Sequence, residues 1–231
     1  MFIPIHDRNP LTVIPWQRVT VTLMAINVAV FLWQNTLADN AQAAVSYGFG
    51  MTPSVLWQQA MLPPEILALP EPLTLVSYAF LHGGWLHLLG NMLFLWVFGD
   101  NIEDAMGHGR FLLFYLLCAV AAGLTHALMD AGSQLPLIGA SGAIAGVLGA
   151  YLLLHPRVKV LVLMFGRLPL RLPVWILLPL WLAFQFVSLS ITGGADGTAW
   201  WAHIGGFLAG MLLVVPLRRR SVPLFDRGTE H

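Results

Sequence analysis

The chain has 231 residues, of which 58% are hydrophobic and only 10% charged, with Lys+Arg and Asp+Glu balanced at 11 each and a mean hydropathy of +0.75. A soluble globular domain averages roughly 45–50% apolar and 25% charged residues, so the composition excludes that class and identifies a polytopic membrane protein. The zero net charge conceals an uneven distribution, and the basic C-terminal stretch is expected to set topology or meet lipid headgroups rather than bind nucleic acid.

Six stretches approach the ~20 apolar residues that cross a bilayer. A short polar N-terminal segment, 1–18, precedes the first span at about 19–37, which is expected to stay as an anchor rather than be removed as a signal. Residues 38–73 form a long connection with Pro53, Pro63, Pro64, Pro70 and Pro72 but also Leu56, Trp57, Met61 and Leu67. Its few charges predict short helices partly immersed in the outer leaflet rather than a solvated spacer. Spans follow at about 80–99, 110–129, 139–155, 172–192 and 199–217, and a basic tail, 218–231, ends the chain. The lone Cys118 lies inside the third span, where it packs as a small apolar residue.

Every Lys and Arg falls before span one, between spans two and three, between spans four and five, or after span six. By the positive-inside rule both termini are cytoplasmic and 19–217 forms one six-span membrane domain. The tail, with Arg218, Arg219, Arg220 and Arg227, sets topology and meets anionic lipid headgroups. The compact core and short tails point to the inner (plasma) membrane of a bacterial cell.

The fourth span carries the first chemical signal. Pro136 and Gly139 break helix ahead of Ser141, and the run 141–155 reaches only about 22 Å at 1.5 Å per residue. With its inner end fixed by Pro156, Arg157 and Lys159, Ser141 is expected below the outer surface, facing a water-filled cavity. His203 is expected about 6 Å down span six on the same side. His87 and Asn91 share one face of span two, and His82, followed by Gly83 and Gly84, is expected at or just before that helix. Ionisable residues at membrane depth are functional candidates.

These residue types suit acyl transfer. Ser141 needs a base to take its proton, and His203 can do so and return the proton to the leaving amine. No carboxylate is expected at that depth, so aromatic packing or a backbone carbonyl must orient the imidazole. Free N–H groups at the helix start, with the Asn91 amide and the His87 ring, can receive an oxyanion. Gly139 and Gly142 allow close backbone approach, and Gly142, Gly146 and Gly149 facing Gly206 and Gly210 predict tight contact of spans four and six.

With His82-x4-His87-x3-Asn91, Gly139-Ala140-Ser141-Gly142 and Ala202-His203-x2-Gly206-x3-Gly210 in this order on spans two, four and six, the sequence strongly resembles the rhomboid family of intramembrane serine proteases. The resemblance covers residues 19–217. It implies an all-α membrane protein, a six-transmembrane-helix bundle with a membrane-immersed first external loop and lateral substrate access near span five. It implies a serine endopeptidase that needs no cofactor or metal and cleaves transmembrane protein substrates near their external ends. Ser141 and His203 form the dyad, with His87, Asn91 and the Ser141 N–H in the oxyanion hole and His82, Gly139, Ala140 and Gly142 in support. Two departures stand out. The first loop has Trp57-Gln58 where many bacterial relatives carry Trp-Arg, and Ala145 stands where several place a tyrosine against the histidine ring, leaving Trp200 or Trp201 as candidates for that support.

Rival chemistries match less of the chain. A zinc protease needs His-Glu-x-x-His, which is absent from the sequence, and an aspartyl protease needs two buried aspartates, whereas Gly99-Asp100 follows Val97 and Phe98 without a second. A histidine-lined channel or transporter leaves the Gly-Ala-Ser-Gly helix start unexplained. A catalytically inactive relative acting as a membrane chaperone is disfavoured by the intact dyad.

Overall fold

A computed structural model describes residues 2–192 and 198–226. Arg227, assigned above to the basic tail, lies outside them. Nine helices are formed by the described residues: α1 (Arg18–Gln34), α2 (Asp39–Phe49), α3 (Pro53–Leu56), α4 (Glu71–Ser77), α5 (Trp85–Met106), α6 (His108–Met129), α7 (Ser141–Leu154), α8 (Val174–Thr192) and α9 (Trp200–Leu217). Three of them, α6, α8 and α9, are long and apolar enough to cross a membrane. A fourth span results if α4 with its following 3-10 turn and α5, bent by 85°, count as one, while α1 and α7 are shorter apolar helices.

The core lies where α7 meets α9 and α6. Phe111, Phe114, Tyr115, Tyr151 and Phe207 are almost wholly enclosed. Helix α7 is apolar all round, as a helix buried on every side must be. Small residues let the backbones touch: a Cβ built on Gly206 would lie 2.0 Å from the Gly142 carbonyl oxygen, and one on Gly210 would lie 1.9 Å from that of Gly146. Cys118 is buried against this contact, with its Sγ 2.4 Å from where a Gly146 Cβ would stand.

Helix α5 differs most from its expected span. It starts five residues late, because extended Gly84 (φ 167°) separates it from the 3-10 turn Tyr78–Phe80. It then runs past the apolar window through buried Asn101, Glu103 and Asp104. Those charges are covered by the N-terminal segment. Glu103 accepts the Val19 and Thr20 N–H groups at 2.9 and 2.8 Å and the Thr20 hydroxyl at 2.7 Å, supplying in trans the cap that α1 lacks. Asp104 accepts the N–H groups of Thr12, Val13 and Ile14 at 2.9, 2.7 and 2.7 Å.

The fold is not purely helical. β1 (Phe2–Asp7), β2 (Lys159–Met164) and β3 (Leu168–Pro173) form an antiparallel sheet in the order β1-β2-β3. The expectation of an all-α chain overlooked it because a six-residue run such as Lys-Val-Leu-Val-Leu-Met is too short to separate from a charged connection by hydropathy. Its chemistry is that of a strand: β-branched residues alternate in the central β2, and the prolines Pro4, Pro169 and Pro173 fall on the two edge strands, where a missing N–H is tolerated. Phe165 (φ 53°) and Gly166 (φ 71°) turn the hairpin in the left-handed conformation it favours. The sheet is tied to the bundle by the Tyr151 hydroxyl, which donates to Asp7. Burial pushes the Asp7 carboxyl above its ordinary value of 3.8.

The connection between α1 and α5 contains the short helices expected of it. Its anchor is Trp57, whose indole N–H donates to the Ala127 carbonyl at 2.7 Å. Met51 and Leu137 exchange backbone hydrogen bonds at 3.1 and 2.8 Å, and the Ser54 N–H reaches the Ser133 carbonyl at 3.0 Å. An arginine beside Trp57 is thus not needed to hold this segment against the loop that leads into α7.

Candidate active site

Helix α7 begins at Ser141 because the chain before it cannot be helical. Gly139 sits at φ 119°, a conformation costly for any residue with a Cβ. Its N–H donates to the Tyr78 carbonyl at 2.9 Å. A Cβ there would also stand 2.5 Å from His87 Nε2, so the glycine lets the imidazole lie directly on the backbone before the serine. Ala140, fully buried, is the N-cap. Gly142 faces Ala122 and the Tyr78 hydroxyl, and that hydroxyl donates to the Ala119 carbonyl at 2.8 Å.

The Ser141 hydroxyl and His203 Nε2 are 2.9 Å apart. They come from α7 and α9, whose glycine contact sets this separation. His87 and Asn91 project from the first turns of α5 into the same cavity as Ser141 and His203. His82 stands behind them: it is 2% exposed, its Nε2 accepts from Asn91 Nδ2 at 3.0 Å, and its backbone N–H donates to Gln34 of α1 at 3.2 Å. Its ring meets that of His87 edge-on with centroids 5.0 Å apart. An amide nitrogen carries two hydrogens, so Asn91 keeps one for a ligand while His82 holds the other.

The cavity has a volume of about 1000 Å³ and extends between α5 and α8, with Phe94, Leu177 and Trp181 among its walls. Such a volume is at the upper end of small-ligand sites and its wall is mostly apolar. His126 and Asp130, at the end of α6, also line it. Among the described residues no group of three or more His, Cys, Asp or Glu side chains is arranged to hold a metal.

The Rhomboid domain family model matches residues 70–220, well over half of the chain. The chain belongs to the rhomboid family. This rhomboid is 31% identical over 195 residues to Rhomboid protein 1, mitochondrial, of Saccharomyces cerevisiae, a match covering 82% of the chain and 50% of that protein. It is 35% identical over 153 residues to Rhomboid protease GluP of Bacillus subtilis, covering 66% of the chain and 28% of that protein. It is 26% identical over 118 residues to Rhomboid protease GlpG of Klebsiella pneumoniae, covering 51% and 35%. The rhomboid chain thus spans half or less of the length of each of these relatives.

One residue of the rhomboid site went unnoticed in the sequence. Gln185 of α8 lies 2.8 Å from His203 Nδ1 through its Oε1, on the opposite side of the ring from Ser141. The ring is also flanked by Trp181 and Trp200, each with its centroid 6.1 Å away. A side-chain carbonyl, not a backbone one, therefore meets the imidazole, and aromatic packing accompanies it. The available signal was a single amide in the apolar run 174–187, a polar group that an apolar helix carries only with a partner.

Proposed function

We propose that this rhomboid is an intramembrane serine endopeptidase that cleaves transmembrane protein substrates near their external ends through a Ser141–His203 dyad. The observation that carries the reading is the 2.9 Å approach of the Ser141 hydroxyl to His203 Nε2 at the wall of a large apolar cavity. His203 takes the hydroxyl proton as Ser141 attacks the scissile carbonyl, then gives it to the leaving amine; water deacylates the enzyme by the reverse route. The developing oxyanion is received by the Ser141 backbone N–H, the second Asn91 hydrogen and the His87 ring, with the α7 N-terminus adding a favourable dipole.

In this reading residues 19–217 cross the cell inner membrane six times, with segments 1–18 and 218–231 cytoplasmic. The distribution of Lys and Arg supports that orientation. The relatives named as proteases support the reaction class. The substrate segment reaches Ser141 from the lipid through the space between α5 and α8.

The test is mass spectrometry of the purified protein in detergent after exposure to a fluorophosphonate, with Ser141→Ala and His203→Ala as controls. Modification of Ser141 that disappears in both variants, each retaining its thermal stability, is the expected result. A folded protein whose cavity admits the probe but whose Ser141 stays unmodified would overturn the reading and leave an inactive, chaperone-like relative.

A further inference from the structure

Ser141 and His203 account for two corners of the site, but the imidazole has two nitrogens and only one faces the serine. A general base must present a lone pair at Nε2, so its proton must reside on Nδ1. Resting on the function proposed above, we infer that Gln185 is a positioning residue that holds His203 in this tautomer. Its carboxamide oxygen accepts from Nδ1–H at 2.8 Å while Nε2 stays 2.9 Å from the Ser141 hydroxyl.

The surroundings of Gln185 argue for a dedicated position. Helix α8 is largely exposed: Phe184 and Phe186, its immediate neighbours, are 46% and 45% accessible, while Gln185 is 3% accessible. The other buried residues of α8, Val174, Leu177 and Leu178, are apolar and lie at its start. Burying an amide in an apolar helix costs free energy unless it is hydrogen-bonded, and an apolar residue of that length would fill the same space without the cost. A neutral amide does for orientation what a carboxylate does in a triad, without adding a charge to an apolar site. Trp181 and Trp200 confine the ring edgewise and obliquely, but neither can select which nitrogen carries the proton.

The arrangement also joins three helices at one ring, with Ser141 from α7, His203 from α9 and Gln185 from α8. Because α8 walls the cavity, a shift of α8 away from α9 breaks the Nδ1 bond and releases the base from its tautomer.

Rates of fluorophosphonate labelling at Ser141 test this without any substrate. Gln185→Met, similar in length but without the carbonyl acceptor, is expected to slow labelling by about 10- to 100-fold, and Gln185→Glu, which restores an acceptor, is expected to stay within about threefold of the unaltered protein. Equal labelling of the unaltered protein and a folded Gln185→Met would overturn the assignment alone. No labelling of the unaltered protein would strike instead at the proposed function. Should Gln185→Met not fold, the ¹⁵N-histidine NMR spectrum of the unaltered protein decides: a proton on His203 Nδ1, bonded to an oxygen, is expected, and a proton on Nε2 at neutral pH overturns the inference.

Discussion

Asn91 occupies the narrowest functional role of the proposed oxyanion group, since one of its amide hydrogens is committed to His82 Nε2 at 3.0 Å. Its remaining hydrogen acts on charge that develops only in the transition state. Asn91→Ala is accordingly expected to lower kcat by about 10²-fold with little change in KM, consistent with the loss of one oxyanion donor; an unchanged kcat in a cleavage assay removes Asn91 from that role. Ser141, His203, His87 and Asn91 were legible in the sequence because each is a polar group in an apolar run at a spacing that one helix face or one helix start explains. Gln185 was not, although it is equally polar. Its meaning depends on which face α8 turns to α9, and no local spacing records that.

Among the elements, the α7–α9 contact is where small side chains matter most. Gly210→Ala places a methyl group 1.9 Å from the Gly146 carbonyl oxygen, so α9 must move and carry His203 with it. A stability loss of about 1–3 kcal/mol, seen as a lowered unfolding temperature in detergent, should accompany slower labelling of Ser141. Gly109→Ala, whose added methyl meets nothing within 4 Å, is the matched control and should be neutral or stabilise α6 by about 0.5–1 kcal/mol. The glycine spacing that predicts this contact is visible in the sequence, as are most helix limits, because long apolar runs and their breakers are local signals. The far end of α5 is not local. Its carboxylates can lie buried in a helix only because residues 12–20 fold back and donate backbone N–H groups to them.

Taken as a whole, the molecule is closed at the end opposite Ser141 by pieces distant in sequence. The sheet unites the N-terminus with the connection between α7 and α8, while Phe225 and Asp226 donate backbone hydrogen bonds to Leu153 and Leu154 at 2.7 and 2.9 Å. Asp7 gives this end a measurable pH response. Its folded value lies above the ordinary 3.8, so the folded state keeps a proton that the unfolded chain has lost. The Asp7 contribution to stability therefore falls as pH rises from about 3.8 through the folded value and is constant beyond it. Asp7→Asn, which can still accept from Tyr151, should remove that part of the slope; unfolding temperatures of the two proteins that run parallel from pH 4 to pH 7 would show that Asp7 does not titrate there. The sheet has a further consequence, in time rather than in energy. Strand β1 is synthesised well before β2, its neighbour in the sheet among the described residues, which begins at Lys159. At ~5–20 residues per second the N-terminal strand waits about 8 to 30 s for its partner. During that interval the helices that carry Asn91 and Ser141 are made in turn, so a strand made before them finds its place only after them.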